Sequence, residues 1–129
     1  MNRHALTIAV ALCACVPAWA QFMQSEGTFA SPSLEVRVIL LDDESGVAAA
    51  SASVVSGACS GVIAGTGQIH GHTLTIIPHK KVSGGESCQL QLYFDKQWKQ
   101  VKATGHECQV FSGAACGFEG QTARKRNER

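Results

Sequence analysis

CQLQLYFDKQWKQVKAT, residues 88–104, decides the fold. In its first half Cys88, Leu90, Leu92 and Phe94 alternate with Gln89, Gln91, Tyr93 and Asp95. A period of two predicts a β-strand with one buried face, because successive side chains of an extended backbone point to opposite sides. Lys96 and Gln97 are expected to form a two-residue turn, after which residues 98–104 return as a second strand whose Lys99 and Lys102 bracket Val101. Lysines on a strand discourage unwanted pairing, which places this second strand at a sheet edge.

The same period recurs upstream. Residues 34–41 put Leu34, Val36, Val38 and Leu40 on one face, and Asp42, Asp43 and Glu44 lead into an acidic turn ending at Gly46. Residues 47–55 are rich in alanine, but Ser51, Ser53, Val54 and Val55 are better strand than helix formers, so a strand is expected there. Residues 61–69 and 73–77 read as a hairpin turning at His70, Gly71 and His72, where glycine tolerates the positive φ of tight turns. Gly65 and Gly67 inside the first of these strands predict a bulge or a close approach by a neighbour.

A polar loop follows at 79–87, and a second long loop at 105–117 separates the opening hairpin from a closing strand at 118–123. With residues 27–30 as the first strand, seven or eight short strands predict an all-β fold, a small antiparallel β-barrel or sandwich. Connections of hairpin length favour an up-and-down barrel.

The chain opens with Arg3 as its single firm charge, runs apolar through residues 5–16 and reaches Pro17, Ala18, Trp19 and Ala20. This is the pattern of a signal peptide cleaved after Ala20, and its apolar run is too short for a membrane span of about 20 residues. The alternative is a lipid anchor, since Leu12, Cys13, Ala14 and Cys15 resemble a lipobox with Cys15 as the acylated residue. On either reading the protein is periplasmic or secreted, with a flexible leader at 21–26, a single β domain at 27–123 and a basic tail at 124–129.

Export puts cysteines in an oxidising space. Cys59, Cys88, Cys108 and Cys116 then form two disulfides, with three possible connectivities. Cys108 and Cys116 are close in sequence and flank Ser112, Gly113, Ala114 and Ala115, which predicts a local Cys108–Cys116 bridge and leaves Cys59–Cys88.

Charge excludes some partners. Of 11 Lys and Arg only Arg3 precedes Ala20, whereas all 10 Asp and Glu follow it, so residues 21–129 are formally neutral. No general attraction to nucleic acid follows from such a balance. Catalytic motifs are also weak. Cys116 beside His106 is the composition of a cysteine nucleophile and its base, but a disulfide removes the thiolate. His70 and His72 with His79 or His106 have the residue types of a metal site without its spacing, so no metal or cofactor is assigned. Glu86, Glu107, Glu119 and Asp95 fit no carboxylate pair, and the nucleophile-elbow and dinucleotide glycine patterns are missing.

What is left is binding. The expected function is a non-enzymatic binding protein with another protein of the cell envelope as partner, as an inhibitor or immunity factor against an envelope-targeted enzyme. Its candidate surface joins His79, Lys80, Lys81 and Glu86 of one loop to His106, Glu107 and Phe111 of the other, with Phe111 and Trp98 as aromatic anchors. The alternative is a carrier that holds a small ligand inside the barrel, its cavity lined by Ala64, Gly65 and Gly67.

Overall fold

The computed structural model describes residues 9–113 and 116–127. The start of the leader, including Arg3, lies outside the described residues, as do Ala114, Ala115 and Arg129. A short helix α1 (Ala18–Met23) precedes strands β1 (Gly27–Ala30), β2 (Leu34–Asp42), β3 (Val47–Ser56), β4 (Cys59–His70), β5 (Thr73–Pro78), β6 (Gln89–Phe94), β7 (Gln100–His106) and β8 (Thr122–Lys125), with one 3₁₀ turn at Gln109–Phe111. Every strand pairs antiparallel with its neighbour in sequence, and β1 pairs with β8 through Phe29↔Lys125 and Ala30↔Arg124. The result is a closed up-and-down barrel.

Closure follows from the alternation. Phe29, Leu34, Val36, Ile63, Leu74, Ile76, Leu90 and Leu92 are each at most 1% exposed, so the inward row of every long strand meets the others at the axis. Eight strands give an interior just wide enough for side chains to fill. The alanine-rich segment is a strand because Ala48, Ala50 and Ala52 occupy inward positions of β3, opposite Gly67, Gly65 and Ile63 of β4. This small-residue wall lets the bulkier side chains of the remaining strands reach across. Outward positions carry Glu35, Arg37, Lys102 and Arg124. The apolar interior differs from the polar lumen of a membrane-spanning barrel. Among the described residues no helix is long and apolar enough to cross a membrane.

Local expectations change in several places. First, the barrel has no edge at β7, whose Lys102 pairs with Tyr93 on one side and Thr122 on the other. Lys102 is tolerated simply because it points outward.

Second, the β6–β7 turn is longer than two residues. The Asp95 carboxylate accepts the Lys99 and Gln100 N–H groups at 2.7 and 3.1 Å, and Trp98 takes φ 58° so that its indole folds back over the barrel mouth. There Trp98 is 3% exposed, stacked on His72 with ring centroids 4.4 Å apart and tilted on Phe94 at 5.1 Å. It is a plug and not an interface anchor. Asp95→Ala removes the acceptor for two backbone donors, and a loss of about 1–2 kcal/mol is expected as a lower urea midpoint at unchanged slope.

Third, residues 21–26 are folded against the barrel and not a loose leader. α1 runs through the Ala20–Gln21 bond, the Phe22 ring covers Gly46, and the buried Ser25 hydroxyl donates to the Phe22 carbonyl at 2.6 Å. At the other terminus Arg124 and Lys125 belong to β8, and Arg126 donates its N–H to the Thr28 carbonyl at 2.8 Å. The basic tail therefore begins inside the sheet.

Candidate functional site

An up-and-down barrel sorts its connections by parity. The turns after β2, β4 and β6 lie at one end with α1, and those after β1, β3, β5 and β7 lie at the other. Both long loops, 79–88 and 107–121, follow odd-numbered strands and so share an end. They also touch. A side chain added at Gly85 would meet Val110 Cγ2 at 2.8 Å and the Phe111 ring at 2.9 Å, and one added at Gly84 would meet Val110 Cγ1 at 3.2 Å. Bare glycine lets the first loop lie flat on the 3₁₀ turn of the second.

Disulfides hold this arrangement, in pairs other than the expected ones. The bridges are Cys59–Cys116 and Cys88–Cys108. Cys59–Cys88 is ruled out by the sheet: β5 lies between β4 and β6, and two strand spacings of about 4.8 Å exceed the reach of roughly 7 Å between bridged Cα atoms. Cys88 and Cys108 instead flank one hairpin. The pairing Gln89↔His106 sets them across from each other with Cα atoms 4.7 Å apart. Sequence carried this signal, since both cysteines bracket the β6–β7 hairpin, but proximity along the chain favoured Cys108–Cys116. Cys116 meets Cys59 because the second loop passes over the start of β4. A Cβ on Gly61 would lie 2.5 Å from the Phe111 carbonyl oxygen. With its sulfur bonded to Cys59, Cys116 has no thiolate to serve as a nucleophile.

The expected site residues are brought to this end. His79, Lys80, Lys81 and Glu86 are exposed on the first loop, and His106 and Glu107 are exposed where β7 runs into the second. His106 Nε2 stands 3.9 Å from Glu107 Oε2, both largely exposed, a contact of little energetic weight. Phe111 is half-buried against the core. Residues that sequence reasoning passed over also belong here. Val110 is 46% exposed between the loops, and Gln109, Ser112, Phe118 and Glu119 line a groove beside Cys108 and Cys116.

No family model matches this chain, and no curated protein or solved structure matches it either.

The other candidates disperse. His70 and His72 sit at the turn after β4, at the end opposite His79 and His106, and the His72 ring is committed to Trp98 and to the Asp95 carbonyl at 3.1 Å from Nδ1. The acidic turn is organised by its own side chains: the Ser45 hydroxyl donates to Asp42 at 2.8 Å and the Glu44 N–H at 3.0 Å, holding that carboxyl below its usual range. The residues expected to line a ligand cavity do not do so. Ala64 points outward and is exposed, while Gly65 and Gly67 face the Ile77 and Thr75 carbonyl oxygens, 1.9 and 1.7 Å from where a Cβ would stand.

Proposed function

We propose that this chain is an exported, non-enzymatic binding protein that docks its disulfide-stapled end on another protein of the cell envelope, as an inhibitor or immunity factor against an envelope-targeted enzyme. One observation carries the reading. Two long loops, each with exposed polar and charged residues, are fixed to each other by Cys88–Cys108 and to the β3–β4 turn by Cys59–Cys116. Ordering loops before contact lowers the entropic cost of association, which is what a rigid binding surface requires. A closed barrel has no free strand edge for β-augmentation, so loops are its natural means of recognition.

Export is supported from two sides. Two disulfides are consistent with a non-cytoplasmic compartment. Leu12 and Val10 in the leader are 92% and 76% exposed, unlike the apolar residues of the barrel interior. Cleavage after Ala20 would keep Phe22, the α1 residue whose ring covers Gly46, and the buried Ser25 that follows the helix.

The test compares the immobilised protein with two variants in envelope extract under non-reducing conditions, reading bound proteins by mass spectrometry. A Lys81→Glu/Glu107→Lys variant at the stapled end is expected to lose a partner that a Lys96→Glu variant at the opposite end retains. Recovery of a bound lipid or small molecule without a protein would overturn the proposal in favour of a carrier.

A further inference from the structure

The charges of residues 21–129 balance in number and not in place. Closure of the barrel gathers Lys102 of β7, Arg124 of β8 and Arg126 on one wall, with Lys99 at its rim, whereas Lys125 pairs with Phe29 and turns inward over that ring. Register joins them: Lys102 pairs with Thr122 on β8, and Arg124 pairs with Gln100 on one side and Ala30 of β1 on the other. Three carboxylates border this wall and offset part of its charge. Glu35 meets Arg37 at 2.9 Å and Arg126 at 3.5 Å, Asp95 accepts the Lys99 and Gln100 N–H groups, and Glu26 accepts that of Leu40 at 2.9 Å. The outward positions of β3, β4 and β5 carry no charge at all, being filled by residues such as Ser51, Ser53, Val62, Ala64, Thr66 and Thr75.

We propose that the β7–β8–β1 wall is a docking face for a bilayer surface bearing anionic lipid headgroups. The shape of the wall favours lipid over protein. It is the convex outside of a barrel, and between its cations stand Thr28, Ala30, Gln100, Thr104 and Thr122. A stable protein interface needs about 800 Å² on each partner around a desolvated anchor, which a convex polar wall does not offer. A headgroup plane needs only cations spread along one side, each adding to the attraction. One aromatic side chain beside the wall is of the interfacial kind. Tyr93 pairs with Lys102 and is 40% exposed. Tyrosine rings are enriched at headgroup level in membrane proteins. A barrel lying on this wall keeps the stapled end clear of the lipid.

Sedimentation of the full chain with vesicles of phosphatidylcholine alone, or mixed with phosphatidylglycerol, tests this. Greater partition onto the anionic vesicles is expected, and the excess should vanish near 1 M salt, where the Debye length is about 3 Å. Any contribution of the apolar leader is insensitive to salt and cancels between variants. Lys102→Gln/Arg124→Gln should lower the salt-sensitive partition by about 10-fold or more, with an unchanged circular dichroism spectrum and melt. Lys80→Gln/Lys81→Gln at the stapled end should leave it unchanged. Equal partition onto both vesicle types, or an equal loss in the Lys80/Lys81 variant, would overturn the proposal. So would tighter retention by acidic protein or DNA than by anionic vesicles.

Discussion

Replacing Cys59 and Cys116 together by serine is expected to cost about 4 kcal/mol of unfolding free energy, against about 3 kcal/mol for the Cys88/Cys108 pair. The difference comes from loop length. The first bridge joins residues 57 apart and the second residues 20 apart, and the chain entropy that a cross-link removes from the unfolded state grows with the logarithm of that separation. For a domain of this size 4 kcal/mol corresponds to a fall in Tm on the order of 20 °C. Thermal unfolding under non-reducing conditions reads both variants. If the Cys88/Cys108 variant fell further than the Cys59/Cys116 one, loop entropy would not be the origin of the stabilisation. Peptide mapping without reductant should return Cys59–Cys116 and Cys88–Cys108, and a Cys59–Cys88 peptide would contradict the register that sets β5 between them. The longer bridge also matters for recognition. It holds Phe111 and Ser112 over Gly61, so its loss should release the second loop and weaken binding at the stapled end even where the barrel survives.

Gly67→Val should be at least as damaging as loss of the shorter bridge, costing about 3 kcal/mol or more, or failure to fold. Propensity alone points the other way, since valine is favoured and glycine disfavoured inside strands. Packing decides against propensity. Gly67 faces inward on β4, and its Cβ would fall 1.7 Å from the Thr75 carbonyl oxygen of β5, an oxygen that belongs to backbone and cannot rotate away. Relief would require β4 and β5 to separate where Gly67 pairs with Ile76. Urea midpoints of Gly67→Ala and of Thr66→Val next to it separate the two effects. Alanine at 67 should destabilise strongly, whereas the outward Thr66 should tolerate valine. A neutral Gly67→Ala would refute the close approach of the two backbones.

The strands were legible because alternation is a local property. Leu34 to Leu40, Leu90 to Phe94 and Val101 with Ala103 each show their buried face within a few residues, and turn residues punctuate them. Gly65 and Gly67 announced a close approach, and β5 supplies it. The β6–β7 turn was not legible, because its length rests on one Asp95 carboxylate and on Trp98 folding back, a choice made by the space at the barrel mouth. The folding of residues 21–26 was hidden for the same reason: Phe22 packs on Gly46 and the core, which are distant in sequence.

The candidate site was half legible. His79 to Glu86 and His106 to Phe111 could be recognised as loops, and strand parity then sends both to one end of any up-and-down barrel. Which cysteine closes which loop could not be read from spacing, because bridges answer to distance in space and register sets that distance.

Sequence by itself determined the leader pattern, the period-two strands and the even set of cysteines, since each depends on neighbours along the chain. Only the tertiary structure decided the Cys59–Cys116 and Cys88–Cys108 pairs, the plug at Trp98 and the gathering of Lys102, Arg124 and Arg126 on one wall. Those depend on which strands lie side by side, and closing β1 onto β8 makes neighbours of residues from opposite ends of the chain.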